Sequence, residues 1–133
     1  MNFTGQKVLI NTAQEKAFEF LSDFNNFEKL MPEQVTNWKS DAEHCSFDIQ
    51  GITSISLKYS KKQPYSLIEV VPDGKAPVNF SLQFNIEASN DNHQQSAGWV
   101  RIDADLNPML SMIAKRPLEN LVNVMTERLT GLF

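Results

Sequence analysis

From residue 35 to residue 106, apolar and polar side chains alternate with a period of two. Phe47 and Ile49 alternate with Ser46, Asp48 and Gln50, and Gly51 breaks the run. Ile55, Leu57 and Tyr59 alternate with Ser54, Ser56 and Lys58. Phe80, Leu82, Phe84 and Ile86 alternate with Asn79, Ser81, Gln83, Asn85 and Glu87, the cleanest strand pattern in the chain. Val100, Ile102, Ala104 and Leu106 alternate with Trp99, Arg101, Asp103 and Asp105. Successive side chains of a strand point to opposite faces, so each run predicts one apolar face and one wet face. Val35 to Lys39 reads as a short edge strand, and residues 65–71 as a further β-rich segment. Turn signals separate the runs at Ser40-Asp41-Ala42, at Lys61-Lys62-Gln63-Pro64, at Pro72-Asp73-Gly74-Lys75 and over the polar residues 89–96. Consecutive hairpins with one apolar face predict an antiparallel sheet.

The flanks follow other periods. Residues 2–11 read as a strand. Thr12-Ala13-Gln14-Glu15 has the form of a capping box, and Ala17, Phe18 and Leu21 then share one face of a helix. Asp23-Phe24-Asn25-Asn26 interrupts that helix. Asn26 is placed to cap a second short turn carrying Phe27, Leu30 and Met31, which Pro32 ends. After the sheet, Asn107-Pro108 opens a helix of about 22 residues, about 33 Å long. Leu110, Ile113, Ala114, Pro117, Leu118, Leu121, Val122, Val124, Met125 and Leu129 fill its apolar arc. Lys115, Arg116, Glu119, Asn120, Asn123 and Glu127 lie opposite. Pro117 removes one backbone hydrogen bond inside that arc, and a kink is expected there.

This order predicts an α+β fold over residues 1–133 as a single domain. A curved antiparallel sheet of six to seven strands wraps around the long C-terminal helix, with two short helices after the first strand. One helix cannot fill such a concavity, so a cavity is expected between sheet and helix. Its expected lining is Ile55, Leu57, Tyr59, Ile68, Phe80, Leu82, Phe84, Val100, Ile102, Met109, Ile113, Pro117, Leu121 and Met125. Met31, Met109, Met112 and Met125 are adaptable fillers. Tyr59 and Ser66 are the expected polar tips inside. The same apolar set would equally make a packed core around no ligand.

Composition narrows the class of protein. The chain has 133 residues, 41% of them hydrophobic and 21% charged, enough for a core without metal or crosslinks and too apolar for a disordered chain. Sixteen Asp+Glu against 12 Lys+Arg give a net charge of −4, and no basic run exceeds two residues. That argues against a nucleic-acid partner. Cys45 is alone, so it forms no internal disulfide, and the N-terminus lacks the pattern of a signal peptide. No stretch reaches the ~18 apolar residues of a membrane span. A cytoplasmic protein, monomer or homodimer, is the expectation.

Reactive side chains are scattered. His44 and Cys45 are neighbours on a strand and point apart, which suits neither a shared metal nor a nucleophile–base pair. His93 sits in a polar loop. Asp103 and Asp105 lie on the polar face of the last strand, where charge pairing with Lys58 or a neighbour is the simpler role. Glu69 is similar. Trp38 and Trp99 fall on outward positions and are candidates for an interaction surface. No catalytic constellation, metal site or cofactor motif is visible, so no cofactor is expected.

The stretch Ile10-Asn11-Thr12-Ala13-Gln14-Glu15-Lys16-Ala17-Phe18-Glu19-Phe20-Leu21-Ser22-Asp23 resembles the opening of the START/Bet v 1-like superfamily, the SRPBCC or polyketide cyclase/dehydrase group. Members commonly read I-x-A-P-x-E-x-V-F-x-x-L-x-D, then a short second helix and a Met-Pro ending, which Leu30-Met31-Pro32 matches. Asn11-Thr12-Ala13 stands where many members carry Ala-Pro. The element order is similar over the whole chain. The resemblance implies a helix-grip fold and a small hydrophobic or amphipathic ligand, held by a carrier or sensor. It also implies two alternatives within the superfamily: an aromatase/cyclase-like enzyme using the same cavity, and a protein-interaction module of the chaperone-activator type. The enzyme would need an inward-facing Arg, His, Asp or Glu, with Arg101 and Glu69 the residues to watch.

Overall fold

The period-two runs become strands. The computed structural model describes residues 1–49, 53–74, 79–89 and 92–133. In order these form β1 (Asn2–Thr4), β2 (Val8–Ile10), α1 (Gln14–Leu21), a 3₁₀ helix (Phe24–Leu30), β3 (Val35–Ser40) and β4 (His44–Ile49). Then come β5 (Thr53–Gln63), β6 (Leu67–Pro72), β7 (Phe80–Ala88), β8 (Ser96–Ala104) and α2 (Pro108–Gly131). The strands make one curved antiparallel sheet in the order β1-β8-β7-β6-β5-β4-β3, with β2 also paired to β8. The long α2 lies against it, the α+β arrangement expected.

The sheet has eight strands rather than six or seven because the first one is broken. Gly5 lies in the break and donates its N–H to the Val100 carbonyl at 2.9 Å. Thr126 of α2 presses on the same spot: a Cβ at Gly5 would overlap its Oγ1. The Thr126 hydroxyl in turn accepts the Val100 N–H at 3.3 Å. Only a residue without a side chain lets the helix come down onto the sheet here.

Three local expectations change. The N-cap of α1 is Ala13, with no side-chain cap, so the Thr12 capping box does not form. The Thr12 carbonyl instead accepts from Ser96 Oγ at 2.9 Å, and the helix starts one residue late for the box. Asp23, not Asn26, caps the 3₁₀ helix by accepting the Asn25 N–H at 2.9 Å, while Asn26 Nδ2 donates to the Phe20 carbonyl. Lys61, Lys62 and Gln63 continue β5 opposite Glu69, Ile68 and Leu67. Lys and Gln are weak turn formers, and pairing with a β-rich partner decides the matter. Gly74 does turn the chain, at φ +91°. Gln50, Gly51, Lys75, Asn90 and Asp91 lie outside the described residues.

The alternation then sorts the faces. Leu82, Phe84 and Ile86 of β7 and Val100, Ile102 and Ala104 of β8 are buried on the inside. Outside, Gln83 donates to Glu69, Ser81 and Asp103, and Arg101 pairs with Asp103 at 3.0 Å. The expected partner Lys58 lies on β5, with β6 and β7 between it and β8. The outer edge strand β3 is interrupted at Asn37, whose φ is +55° and whose side chain donates to Asp48. Such an irregularity blunts an exposed edge against pairing with other chains.

Helix α2 begins as expected, with Pro108 in its first turn and the Asn107 side chain accepting the Leu110 N–H at 2.8 Å. It continues through Pro117. Its buried residues, Val122, Met125, Thr126 and Leu129, all fall in the second half.

Candidate functional site

The inner face of the sheet has two unlike ends. Beneath α1 and the 3₁₀ helix it is closed by aromatic rings. Phe24 stacks on Tyr59 at 4.2 Å between centroids, and Phe27 meets Phe84 edge-on at 5.2 Å. The Tyr59 hydroxyl donates to the Leu21 carbonyl at 2.7 Å, which fastens α1 to β5. Burial pushes the Tyr59 phenol well above its ordinary range, with Asp23 nearby adding to the effect.

At the other end a cavity of about 90 Å³ stays open between the sheet and α2. Its sheet wall is Phe47, Ile49, Ile55, Leu57, Phe80, Leu82, Ile102 and Ala104. Met31 and Leu106 close the sides, and Ala114, Leu118, Leu121 and Met125 of α2 form the roof. Among the described residues every side chain on this wall is apolar. Outside it, a groove of about 300 Å³ runs along Pro32, Gln34, Val35, Arg116, Pro117 and Asn120. Cavity and groove share Ile49, Leu118 and Leu121, so these side chains are the partition between them.

The fourteen-residue lining expected from the sequence divides accordingly. Ile55, Leu57, Phe80, Leu82, Ile102, Leu121 and Met125 surround the cavity. Tyr59, Ile68, Phe84 and Val100 lie elsewhere in the core, Tyr59 and Phe84 among the rings. Pro117 faces the groove. Met109 and Ile113 are corrections: both are exposed on the far side of α2. Ser66 sits at the β5–β6 turn, donating to the Gln63 carbonyl. The error on the helix has a simple geometry. Counting back from the buried Met125 by four, seven and eleven residues gives Leu121, Leu118 and Ala114, the roof. Ile113 is one residue off that stripe, about 100° around the helix. The missed residues Phe47, Ile49 and Ala104 carried the alternation signal, and only the strand order shows which end of the sheet they occupy.

The reactive groups lie apart from the cavity. His44 is exposed, with Nδ1 3.5 Å from Asp41 and Nε2 4.0 Å from Asp73. The backbone N–H groups of Glu43 and His44 hold the Asp41 carboxyl below its usual range. Cys45 points the other way and is buried, which pushes its thiol up to about 12. Among the described residues no group of His, Cys, Asp and Glu could hold a metal. Trp38 is not an outward patch. It stacks on Phe47 at 5.3 Å and donates Nε1–H to Ser40. Trp99 remains outside, beneath the Lys7 ammonium.

Neither a family model nor a curated protein sequence matches this chain. Solved structures do. A START superfamily protein from Mycobacterium smegmatis superposes with a TM-score of 0.68 at 15% identity, covering 99% of both chains. Norcoclaurine synthase from Thalictrum flavum, in complex with a transition-state analogue, does so at 0.67 and 9% identity, covering 99% of this chain and 94% of that one. The chain has the START/Bet v 1-like, helix-grip fold. A third helix-grip relative is the di-domain ARO/CYC BexL from the BE-7585A biosynthetic pathway. It gives 0.72 at 9% identity, covering 98% of this chain and 45% of BexL, so this chain spans about half its length. No helix among the described residues is long and apolar enough to cross a membrane.

Proposed function

We propose that this helix-grip protein is a carrier or sensor for a small amphipathic molecule. The apolar end of the ligand enters the cavity under α2, and its polar end stays in the groove beside Gln34, Arg116 and Asn120. One observation carries the reading: a cavity lined by apolar side chains and a polar-rimmed groove share the half-buried side chains of Leu118 and Leu121. Volume supports it too. An apolar cavity of ~150 Å³ takes up benzene, so 90 Å³ suits the end of a hydrocarbon chain rather than a fused ring system. That weighs against the cyclase reading, as does the outward direction of Arg101 and Glu69, which bond to Asp103 and to Ser60 and Gln83. The lone buried Cys45 supports a reducing, cytoplasmic setting.

The test uses the fluorescent polyene fatty acid cis-parinaric acid, an unbranched amphipathic chain with no ring, and the variant Ala114→Leu. Ala114 is the smallest residue of the roof, and leucine there fills the cavity. Wild type is expected to bind the probe and the variant to bind it at least about tenfold more weakly, each lost methylene-sized space being worth ~0.8 kcal/mol. Equal affinity in the two proteins removes the cavity from consideration. Native mass spectrometry of protein taken from its own source then identifies any ligand carried through purification.

A further inference from the structure

The first half of α2 is apolar on its outward side. Met109, Met112 and Ile113 are 73%, 87% and 67% exposed. Spaced i, i+3 and i+4, they form one stripe, and it faces away from the roof residues Ala114 and Leu118. Beyond Arg116 the same outward side turns polar, with Asn120, Asn123 and Glu127. Among the described residues nothing covers these three large apolar side chains, and such a patch marks an interaction surface.

Charge indicates what covers it. Lys115 and Arg116 follow the stripe, and no acidic residue occurs from Leu106 to Leu118, in a chain of net charge −4. A second copy docked antiparallel on the same stripe would bring the same two cations against the apolar residues, and the acids flanking the stripe, Asp105 and Glu119, would lie beyond its ends rather than opposite Lys115 and Arg116. An anionic lipid surface answers both features. The interfacial hydrocarbon accepts Met109, Met112 and Ile113, and the headgroups accept Lys115 and Arg116. We propose that the first half of α2 is a membrane-docking surface, seating the protein reversibly on bilayers that carry anionic lipid. Of the docking residues only Arg116 also borders the groove, and the apolar stripe itself is outside the cavity wall, so its docking holds whatever the cavity contains.

Flotation of the full chain with vesicles decides it. Wild type is expected to float with phosphatidylcholine vesicles containing phosphatidylglycerol, far less with phosphatidylcholine alone, and less as salt rises. Met109→Ser/Met112→Ser/Ile113→Ser lowers partitioning at least about tenfold. Lys115→Glu/Arg116→Glu lowers it at least about tenfold as well, each cation near the surface being worth about fivefold. Asn123→Ser leaves it unchanged. These positions are exposed, so the variants keep the wild-type melting curve, and the triple Ser variant keeps its affinity for cis-parinaric acid. Wild type that floats with neither vesicle overturns the proposal, as does a triple variant that floats like wild type. Sedimentation velocity gives the other decisive result: a wild-type dimer that the triple variant turns into a monomer assigns the stripe to a second copy instead.

Discussion

The two ends of the sheet's inner face are built from the same strands and finished differently. On β5, Tyr59 belongs to the ring cluster and Leu57, two residues away, to the cavity wall. On β7, Phe84 and Leu82 divide in the same way. What differs is the cover. α1 and the 3₁₀ helix bring their own rings, Phe24 and Phe27, both fully buried. α2 packs on β8, β2, β1 and the 3₁₀ helix through its second half, and the Arg128 guanidinium donates to the Met31 carbonyl. From its first half only Ala114 and Leu118 border the cavity, and neither is fully buried. The ring end therefore carries stability, and the cavity end has slack that a ligand can use.

The strongest way to break this contrast is Phe27→Ala. It removes a side chain that touches Phe24, Tyr59 and Phe84, and is expected to cost about 3–5 kcal/mol in urea unfolding. Leu118→Ala in the roof is expected to cost less than about 2 kcal/mol, because its side chain is only half-buried and borders existing space. Equal losses would mean that the two ends are packed alike. Adding volume sharpens the contrast from the other direction. Ala17→Leu forces a larger group into a site 1% exposed and should destabilise by about 1–3 kcal/mol. Ala114→Leu enlarges a residue facing open space and should stay within about 1 kcal/mol of wild type.

Much of this was legible along the chain. The alternation in 80–86 and 99–106 assigns inside and outside at each residue, since a strand has only two faces to choose between. The Asn107-Pro108 start of α2 was equally readable, because a cap and a first-turn proline act locally. What resisted reading were decisions made by distant partners. The Thr12 capping box does not form because the helix starts one residue later, with Ala13 as its N-cap, while the Thr12 carbonyl is held by Ser96, eighty-four residues away. Tyr59 looked like the polar tip of a pocket, and the Leu21 carbonyl drew it into the ring cluster. On α2 the apolar residues outnumber what one sheet face can cover, so composition alone could not tell Ala114, which is roof, from Ile113, which is surface.

A gentler probe of the ring end is Tyr59→Phe. The ring still stacks on Phe24, and only the 2.7 Å hydrogen bond to the Leu21 carbonyl is lost. About 1 kcal/mol is expected, seen as a lower urea midpoint with an unchanged slope. A loss as large as that of Phe27→Ala would mean that this bond, and not ring packing, holds α1 to the sheet.

The smallest effect is a dependence on alkaline pH, and it separates two buried groups by where it begins. Burial is the main cause in both cases, raising the Cys45 thiol from 9.0 to about 12 and the Tyr59 phenol further above 10.0. In each the fold favours the neutral form, so the folded pKa exceeds the unfolded one. Stability from Cys45 is whole below about pH 9 and is lost progressively as pH climbs toward about 12. The loss from Tyr59 starts about one pH unit later, because its unfolded value is 10.0. Urea midpoints measured from pH 8 upward should therefore fall first through Cys45. Cys45→Ala should flatten the curve between about pH 9 and 10, and Tyr59→Phe should leave that interval unchanged and flatten the curve only above it. If Cys45→Ala leaves the 9-to-10 interval as steep as in wild type, the thiol is not held neutral by its surroundings, and the burial of β4 against β5 at that point is looser than the 4% exposure of Cys45 implies.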